Sequence, residues 1–388
     1  MVPIAYNIRN ITVRKATTTA TAGGLALVVF VFASVLMLSN GIEKTLGRSG
    51  AEDRAIILRK GSDAELASGI DDPQVSLILA SSEVAKGPDG AGMGVGEVVG
   101  VILLDKLGTD GFSNVQIRGV PDSVLKFRDE VKVIAGRAAQ PGTDEVMVGK
   151  AIRGRFKGLD LDQSFELKKN RPVKVVGVFE DGGSSFESEV WADLHTVRAA
   201  FGRDGMVSSV RVRLTSPSSF DAFKTSIEQN RQLGLEAIRE PEFYEKQSSG
   251  TSIFIKALGF MIAFFFALGA MIGAMITMNA SVANRRREIG TLRALGFTRF
   301  SILTSFLFEA MLLSLIGGVV GALAALPMGF VKFSTMNFAT FAEIVFAFEP
   351  TPGIIIASMV LAAAMGLLGG FLPAVRAART NPIEAMRA

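Results

Sequence analysis

The sequence predicts a membrane α-helical protein: four transmembrane helices, with a large extracytoplasmic mixed α/β domain inserted between helices 1 and 2. Three observations predict it. The mean hydropathy of +0.38 over 388 residues is high for a water-soluble chain of this length. Four runs, each near the ~20 apolar residues that cross a bilayer, are almost free of charge. The positive charge gathers beside those runs: residues 40–252 hold 28 Lys+Arg and 32 Asp+Glu and the remainder 13 and 5, so −4 and +8 combine to the overall +4.

The basic pI near 9.3 therefore marks membrane topology. A nucleic-acid partner would need the basic charge on the folded polar domain, which here is mildly acidic. The chain has no cysteine, which excludes disulfides, thiolate metal sites, cysteine nucleophiles and cysteine lipidation. Its single histidine, His195, excludes a histidine-cluster metal site, and no serine in a nucleophile motif stands near it. No catalytic residue, no metal ligand and no directly bound cofactor is predicted.

The elements follow in order. Residues 1–16 read as a cytoplasmic N-terminal amphipathic segment carrying Arg9, Arg14 and Lys15. Residues 17–39, with LALVVFVFASVLML at their centre, read as transmembrane helix 1. No small-x-small cleavage site follows that apolar core, so a retained anchor is expected and not a signal peptide. Residues 40–252 form the extracytoplasmic domain, and 253–284, uncharged from Ala257, form helix 2. The segment 285–299 is basic, with Arg285, Arg286, Arg287, Arg293 and Arg299 against Glu288 alone. Helix 3 occupies 300–331, interrupted only by Glu309. An extracytoplasmic link, 332–352, carries Lys332 against Glu343 and Glu349, and Pro352 opens helix 4 at 353–375. The tail, 376–388, adds Arg376, Arg379 and Arg387. Lys and Arg beside short loops stay in the cytoplasm, which places both termini and 285–299 inside.

Within the external domain, Ala55–Leu58, Val75–Leu79, Val98–Leu104 and Val173–Phe179 are rich in branched residues and read as strands. Asp193–Phe201 and Ser219–Gln229 read as helices, with Ser219 or Asp221 as N-cap, and two subdomains of similar size are expected. Pro88-Asp89-Gly90 and Asp181-Gly182-Gly183 read as turns, Gly87–Gly100 as a glycine-dense loop, and Trp191 as core. No triple among Gly90, Gly92, Gly94, Gly96 and Gly100 has the G-x-G-x-x-G spacing. Gly142 to Lys150 has six residues between its glycines and Ala151 after the lysine, so no Walker phosphate loop is present. The domain reads as a binder or conduit.

In the spans, Gly269/Gly273, Gly317/Gly321 and Gly366/Gly370 form small-xxx-small pairs suited to close helix packing. Glu309 is an acid within a span, hence a functional candidate, with a packing or interfacial role preferred. On a helix over 285–296, Ile289, Leu292, Leu295 and Gly296 fall near one face while Arg286, Arg287 and Arg293 project around them. An apolar stripe continuing past the membrane edge suggests a protein partner beneath it.

The segment NRRREIGTLRALGFTR closely resembles the cytoplasmic loop of the FtsX-like and MacB-like ABC transporter permease family, which includes lipoprotein-releasing permeases. The matching residues are Arg285, Glu288, Ile289, Gly290, Leu292, Arg293, Ala294, Leu295 and Gly296, while Asn284 replaces the usual acid. Glu309-Ala310 with Gly317, Gly318 and Gly321 is similar to the family's third span, and Leu372-Pro373-Ala374 through Asn381-Pro382-Ile383-Glu384-Ala385-Met386-Arg387 to its tail. The resemblance implies a mechanotransmission permease without catalysis of its own, in the bacterial inner membrane. It implies a separate cytoplasmic ABC ATPase that holds ATP and Mg, docked on 285–296 as a coupling helix. It also implies a second permease copy or homologue, contact with membrane lipid, and no nucleic acid. MacB-like export, with a periplasmic adaptor and an outer-membrane channel, is the leading reading. Lipoprotein extraction and FtsX-like control of an external cell-wall hydrolase are its alternatives.

Overall fold

A computed structural model describes residues 15–230, 233–337 and 340–381. Most of the N-terminal segment, with Arg9 and Arg14, and the tail from Pro382 to Ala388 lie outside the described residues. In chain order the elements are α1 (Lys15–Gly47), β1 (Arg54–Arg59), β2 (Ile70–Asp71), α2 (Asp72–Leu79), β3 (Gly94–Asp105), β4 (Phe112–Val120), β5 (Lys132–Gly136), β6 (Glu145–Gly149) and β7 (Ser164–Lys168). Then come β8 (Arg171–Glu180), β9 (Glu189–Asp193), α3 (Leu194–Phe201), β10 (Met206–Val207), β11 (Ser209–Arg213), α4 (Phe220–Gln229) and β12 (Leu235–Arg239). The last are α5 (Glu240–Asn284), α6 (Arg286–Ala294), α7 (Arg299–Ala325), β13 (Lys332–Met336), β14 (Glu343–Ala347) and α8 (Pro352–Ala378).

The chain divides into two compact units. One, the external unit, comprises Ile42–Ser252 and Lys332–Phe346; the other, the span unit, holds the described residues of Met1–Gly41, Ile253–Val331 and Ala347–Ala388. In the external unit ten strands form one sheet in the order β12-β1-β11-β3-β4-β9-β6-β8-β5, with β7 on β8, while β2 pairs with β10 and β13 with β14 in two small sheets. The two expected subdomains are joined by β3. Its residues 94–97 pair with β11 and its residues 98–105 with β4, so one strand belongs to both halves of the sheet. The apolar core runs along that sheet, through Ile57, Val98, Ile117, Val148, Val190 and Val210.

Two expectations for this unit change. Val75–Leu79 is helical, because Asp71 and Gln74 form a capping box and Pro73 sits in the first turn. The segment Gly87–Gly100 is a loop only in its first half, since β3 begins at Gly94. Its later glycines serve packing: a Cβ on Gly100 would sit 2.6 Å from the Phe201 ring, and one on Gly96 3.1 Å from Val207. The link between the third and fourth spans forms the β13–β14 hairpin, with Val345 inside the external core.

The helices α1, α5, α7 and α8 are long and apolar enough to cross a membrane. Three exceed the predicted bounds of 17–39, 253–284 and 353–375, because helical hydrogen bonding continues into the flanking polar sequence, and α7 ends at Ala325, short of the predicted 331. Phe243, Tyr244, Ser248 and Ser252 on α5 are buried in the external unit. In the span unit, glycines let backbones meet. A Cβ on Gly317 would lie 2.6 Å from the Ala22 carbonyl oxygen, and one on Gly321 2.9 Å from Val29 Cβ, so both seat α7 on α1. Gly366 and Gly370 face Ser314 and Ala310, seating α8 on α7. The expected packing role fails within this chain for Gly269 and Gly273, which face open space. They lie on the outward side of α5 with the exposed Phe265, Phe266 and Ile272, a side that none of the described elements of the span unit covers.

Candidate functional site: a seated basic helix and a buried charge hub

Two constellations stand out, one in each unit. In the span unit, Asn284 ends α5, and Arg285 has non-helical angles (φ −112, ψ 14) that turn the chain into α6. Arg285 turns inward, and its Nη1 donates to Glu309 Oε2 on α7 at 2.9 Å, with the side chains only 4% and 8% exposed. Its guanidinium also lies 4.9 Å from the centre of the Phe306 ring and donates to Glu288 at 3.3 Å. Glu309 thus has a packing role: it neutralises the first residue of the basic segment. The helix is then fastened along its inner face by Ile289, which joins Met278, Val282, Ile302, Phe306, Ala374 and Ala377 in one cluster, with Leu292 packed at its edge.

This corrects the expected docking face. Ile289 is 1% exposed and Gly290 is buried, so neither can fill a partner's groove, and Leu292 is half-buried against its own chain. The reason is registry: inward-pointing Arg285 sets positions four and seven residues on to the same inner side. Leu295 stays exposed at 73%, beside Arg286, Arg287, Thr291 and Ala294. Arg293 turns back, donating to the Phe297 carbonyl at 2.9 Å. Gly296 (φ +95) adopts the left-handed conformation that ends the helix, as its position suggested.

The external unit holds a hub that the sequence reading missed. Arg118 on β4 donates to Glu189 on β9 at 2.6 Å, to Glu65 at 2.9 Å and to Glu97 on β3 at 2.8 Å. Arg211 on β11 reaches Glu65 at 2.8 Å, Glu97, Glu240 at 3.0 Å and the Tyr244 hydroxyl at 3.2 Å. Arg128 donates to Glu240 at 2.8 Å. All these groups are buried. The sequence signal was present as alternation: Gln116/Arg118, Glu189/Trp191 and Ser209/Arg211 each share a strand face at a spacing of two. The register then sets Gln116 beside Glu189 and Ser209 beside Glu97.

Burial opposes the ionisation of Glu65, yet Arg118 and Arg211 outweigh it and hold its carboxyl well below the usual carboxylate range. At Glu189 burial prevails over Arg118 and pushes the carboxyl up. His195 lies exposed in the first turn of α3 and takes no part. Among the described residues, no group of His, Cys, Asp and Glu is placed to hold a metal ion.

The β13–β14 hairpin is fastened to the same unit. Glu343 accepts from Lys106 at 2.6 Å and from Arg155 at 3.1 Å. Burial raises its affinity for a proton, but these donors, with Ser334 and Ser113, bring its pKa down to about 2 from 4.5. A depressed carboxylate stabilises the fold above its unfolded value and loses that contribution as pH falls through the folded one. Hairpin docking should therefore be flat with pH in the neutral range and weaken from 4.5 down towards 2. Hydrogen exchange of Glu343–Ala347 at stepped pH checks this, and a loss of protection in the neutral range would contradict it.

Comparison with known proteins agrees with these features. The model of the MacB-like periplasmic core domain matches residues 18–230, and that of the FtsX-like permease C-terminal region matches 260–382. The chain is 30% identical over 234 residues to the macrolide export ATP-binding/permease protein MacB of Acinetobacter baylyi, covering 55% of this chain and 33% of that one. It is 31% identical over 229 residues to the uncharacterised ABC transporter permease YknZ of Bacillus subtilis, covering 56% and 54%. The chain thus spans between a third and about half of these relatives' lengths. The extracellular domain of a YknZ transporter from Gram-positive bacteria aligns with 48% of this chain and 99% of its own, at TM-score 0.36 and 14% identity. The two family models and these relatives place the chain among the ABC transporter permeases. The chain belongs to the MacB-like family of such permeases, with an FtsX-like C-terminal region.

Proposed function

We propose that this chain is the non-catalytic permease subunit of an ABC transporter. It relays the movement of separate cytoplasmic ATPase subunits, which bind ATP and Mg, to its external domain in MacB-like export. The observation that carries this is α6: a short helix fastened to the span unit by Ile289 and the Arg285–Glu309 pair, with Leu295, Arg286 and Arg287 left outward. A helix so held can pass on a push because its inner face has no freedom to yield. The ATPase docks on that outward surface.

The membrane is the bacterial inner membrane, with both termini and 285–299 in the cytoplasm. The chain lacks cysteine, so single cysteines at Ser218 and Thr298, both exposed, give clean labels. They should react from opposite sides of intact membranes, and reaction of both from one side would refute the topology. A second permease copy or homologue completes the transporter, and lipid covers the remaining apolar faces. Purification of the tagged chain from native membranes should bring down an ABC ATPase in stoichiometric amount; its absence under conditions that preserve the fold would overturn the reading. The external protein recovered with it separates export (an adaptor and outer-membrane channel) from lipoprotein extraction and hydrolase control.

A further inference from the structure

The chain passes between its spans and the external unit at four points, after Gly41, Ser252, Val331 and Phe346. The segments at three of them, those carrying Ser49, Tyr244 and Val345, meet one short stretch, Ser184–Glu189. After α1, Ser49 Oγ lies 2.7 Å from Ser185 Oγ and accepts from Ser185 N at 2.9 Å. At the start of α5, the Tyr244 ring packs edge-on against Phe186 at 6.0 Å. On β14, Val345 N donates to Ser188 Oγ at 3.1 Å. Ala51 N also donates to Glu240 Oε2 at 3.3 Å, tying the first of these segments to the second. All these atoms lie inside the external unit.

The stretch is built to be stiff. The Glu187 carboxylate accepts from Asp181 N at 2.9 Å and Gly183 N at 2.8 Å, closing its own approach. Phe186, fully buried, has the guanidinium groups of Arg128, Arg118 and Arg211 at 4.1, 5.1 and 5.8 Å from its ring centre. Those arginines belong to the hub that grips β3, β4, β9 and β11 through Glu65, Glu97 and Glu189. These three segments therefore share one set of side chains, beside the backbone links that β1 and β12 make to the sheet.

We infer that Ser184–Glu189, with Phe186 at its centre, is the node through which the segments leading from the spans act on the external sheet. Phe186 and Ser188 are positioning residues. This rests on the transporter reading above. Stiffness is what the role requires, since a displacement entering at Ser49, Tyr244 or Val345 is passed on only if the receiving stretch does not absorb it.

The only tryptophan of the chain reports on the node directly: Trp191 packs edge-on against Phe186 at 5.8 Å and donates to Glu189 at 3.1 Å. The test uses the full chain, with 5-fluorotryptophan at that position, reconstituted with its co-purified ATPase and read by fluorine NMR. Addition of a non-hydrolysable ATP analogue should move the resonance. In Ser188→Ala and Phe186→Leu, the ATPase should still bind and hydrolyse while the shift collapses and coupled transport falls about tenfold, the scale of a coupling between linked sites. Ser188→Thr, which keeps the hydroxyl, should restore both. If Phe186→Leu fails to fold, the Ser188 pair alone decides. Failure of the ATPase to associate with wild type would refute the transporter reading. Association and hydrolysis with an unmoved wild-type resonance, or an undiminished shift in Ser188→Ala, would refute the node.

Discussion

Arg118→Ala is expected to unfold the external unit or to lower its stability by about 3–5 kcal/mol, the cost of leaving a buried ion pair without one partner. Three carboxylates, from Glu65, Glu97 and Glu189, converge on this one guanidinium. Removing it leaves Glu189 without a cation and Glu65 and Glu97 sharing Arg211 alone, in a site from which water is excluded. A domain with a typical total stability of about 5–15 kcal/mol has little margin for that loss. The comparison is Arg153→Ala, which removes an exposed pair to Asp160 at 3.3 Å; pairs of that kind contribute about 0–1 kcal/mol. Thermal unfolding of the full chain in detergent, followed through Trp191 emission, reads both. Equal, small effects would show that the hub contributes no more than a surface pair.

Leu295→Asp is expected to abolish ATPase capture while the chain still inserts and folds. The side chain is 73% exposed, so the substitution costs the isolated chain only about 0.3–1 kcal/mol for a carboxylate at a helix C-terminus. In the docked state it sets an unpaired carboxylate where an apolar anchor belongs, and such losses run to about 2–5 kcal/mol, or some 30- to several-thousand-fold in affinity. Arg286→Ala and Arg287→Ala should act more gently, slowing association and weakening its salt dependence, because rim charges steer more than they hold. Ile289→Asp must not be read as a docking test, since it buries a charge in the chain's own Met278–Ala377 cluster. Pull-down of the ATPase by variant and wild-type chains checks the prediction. A Leu295→Asp chain that retained a stoichiometric ATPase would refute the docking surface.

The sequence alone made much of the architecture legible. Span length is a local property, since a helix advances 1.5 Å per residue whatever surrounds it, so the four apolar runs were readable without any contact map. The NRRREIGTLRALG segment was readable as a family pattern for the same reason: its residues are contiguous, and they lie within the FtsX-like match over 260–382. The turn at Asp181-Gly182-Gly183, strand β8 and helix α3 also rest on local signals and stand close to where they were expected.

What only the tertiary structure decided depends on pairs far apart in the chain. A helical stripe has two flanks, and which residues of 285–296 turn inward was set by Arg285 finding Glu309, a partner outside that helix. The glycine pairs looked alike in sequence, yet Gly317 and Gly366 meet neighbouring helices and Gly269 meets none, because the neighbour and not the spacing supplies the contact. The hub escaped notice because Glu65, Glu97, Arg118, Glu189, Arg211 and Glu240 are scattered over the domain. A charged residue on an alternating strand reads as solvent-facing until the opposite layer closes over it. Burial is a property of two surfaces, and the sequence of one strand carries only one of them.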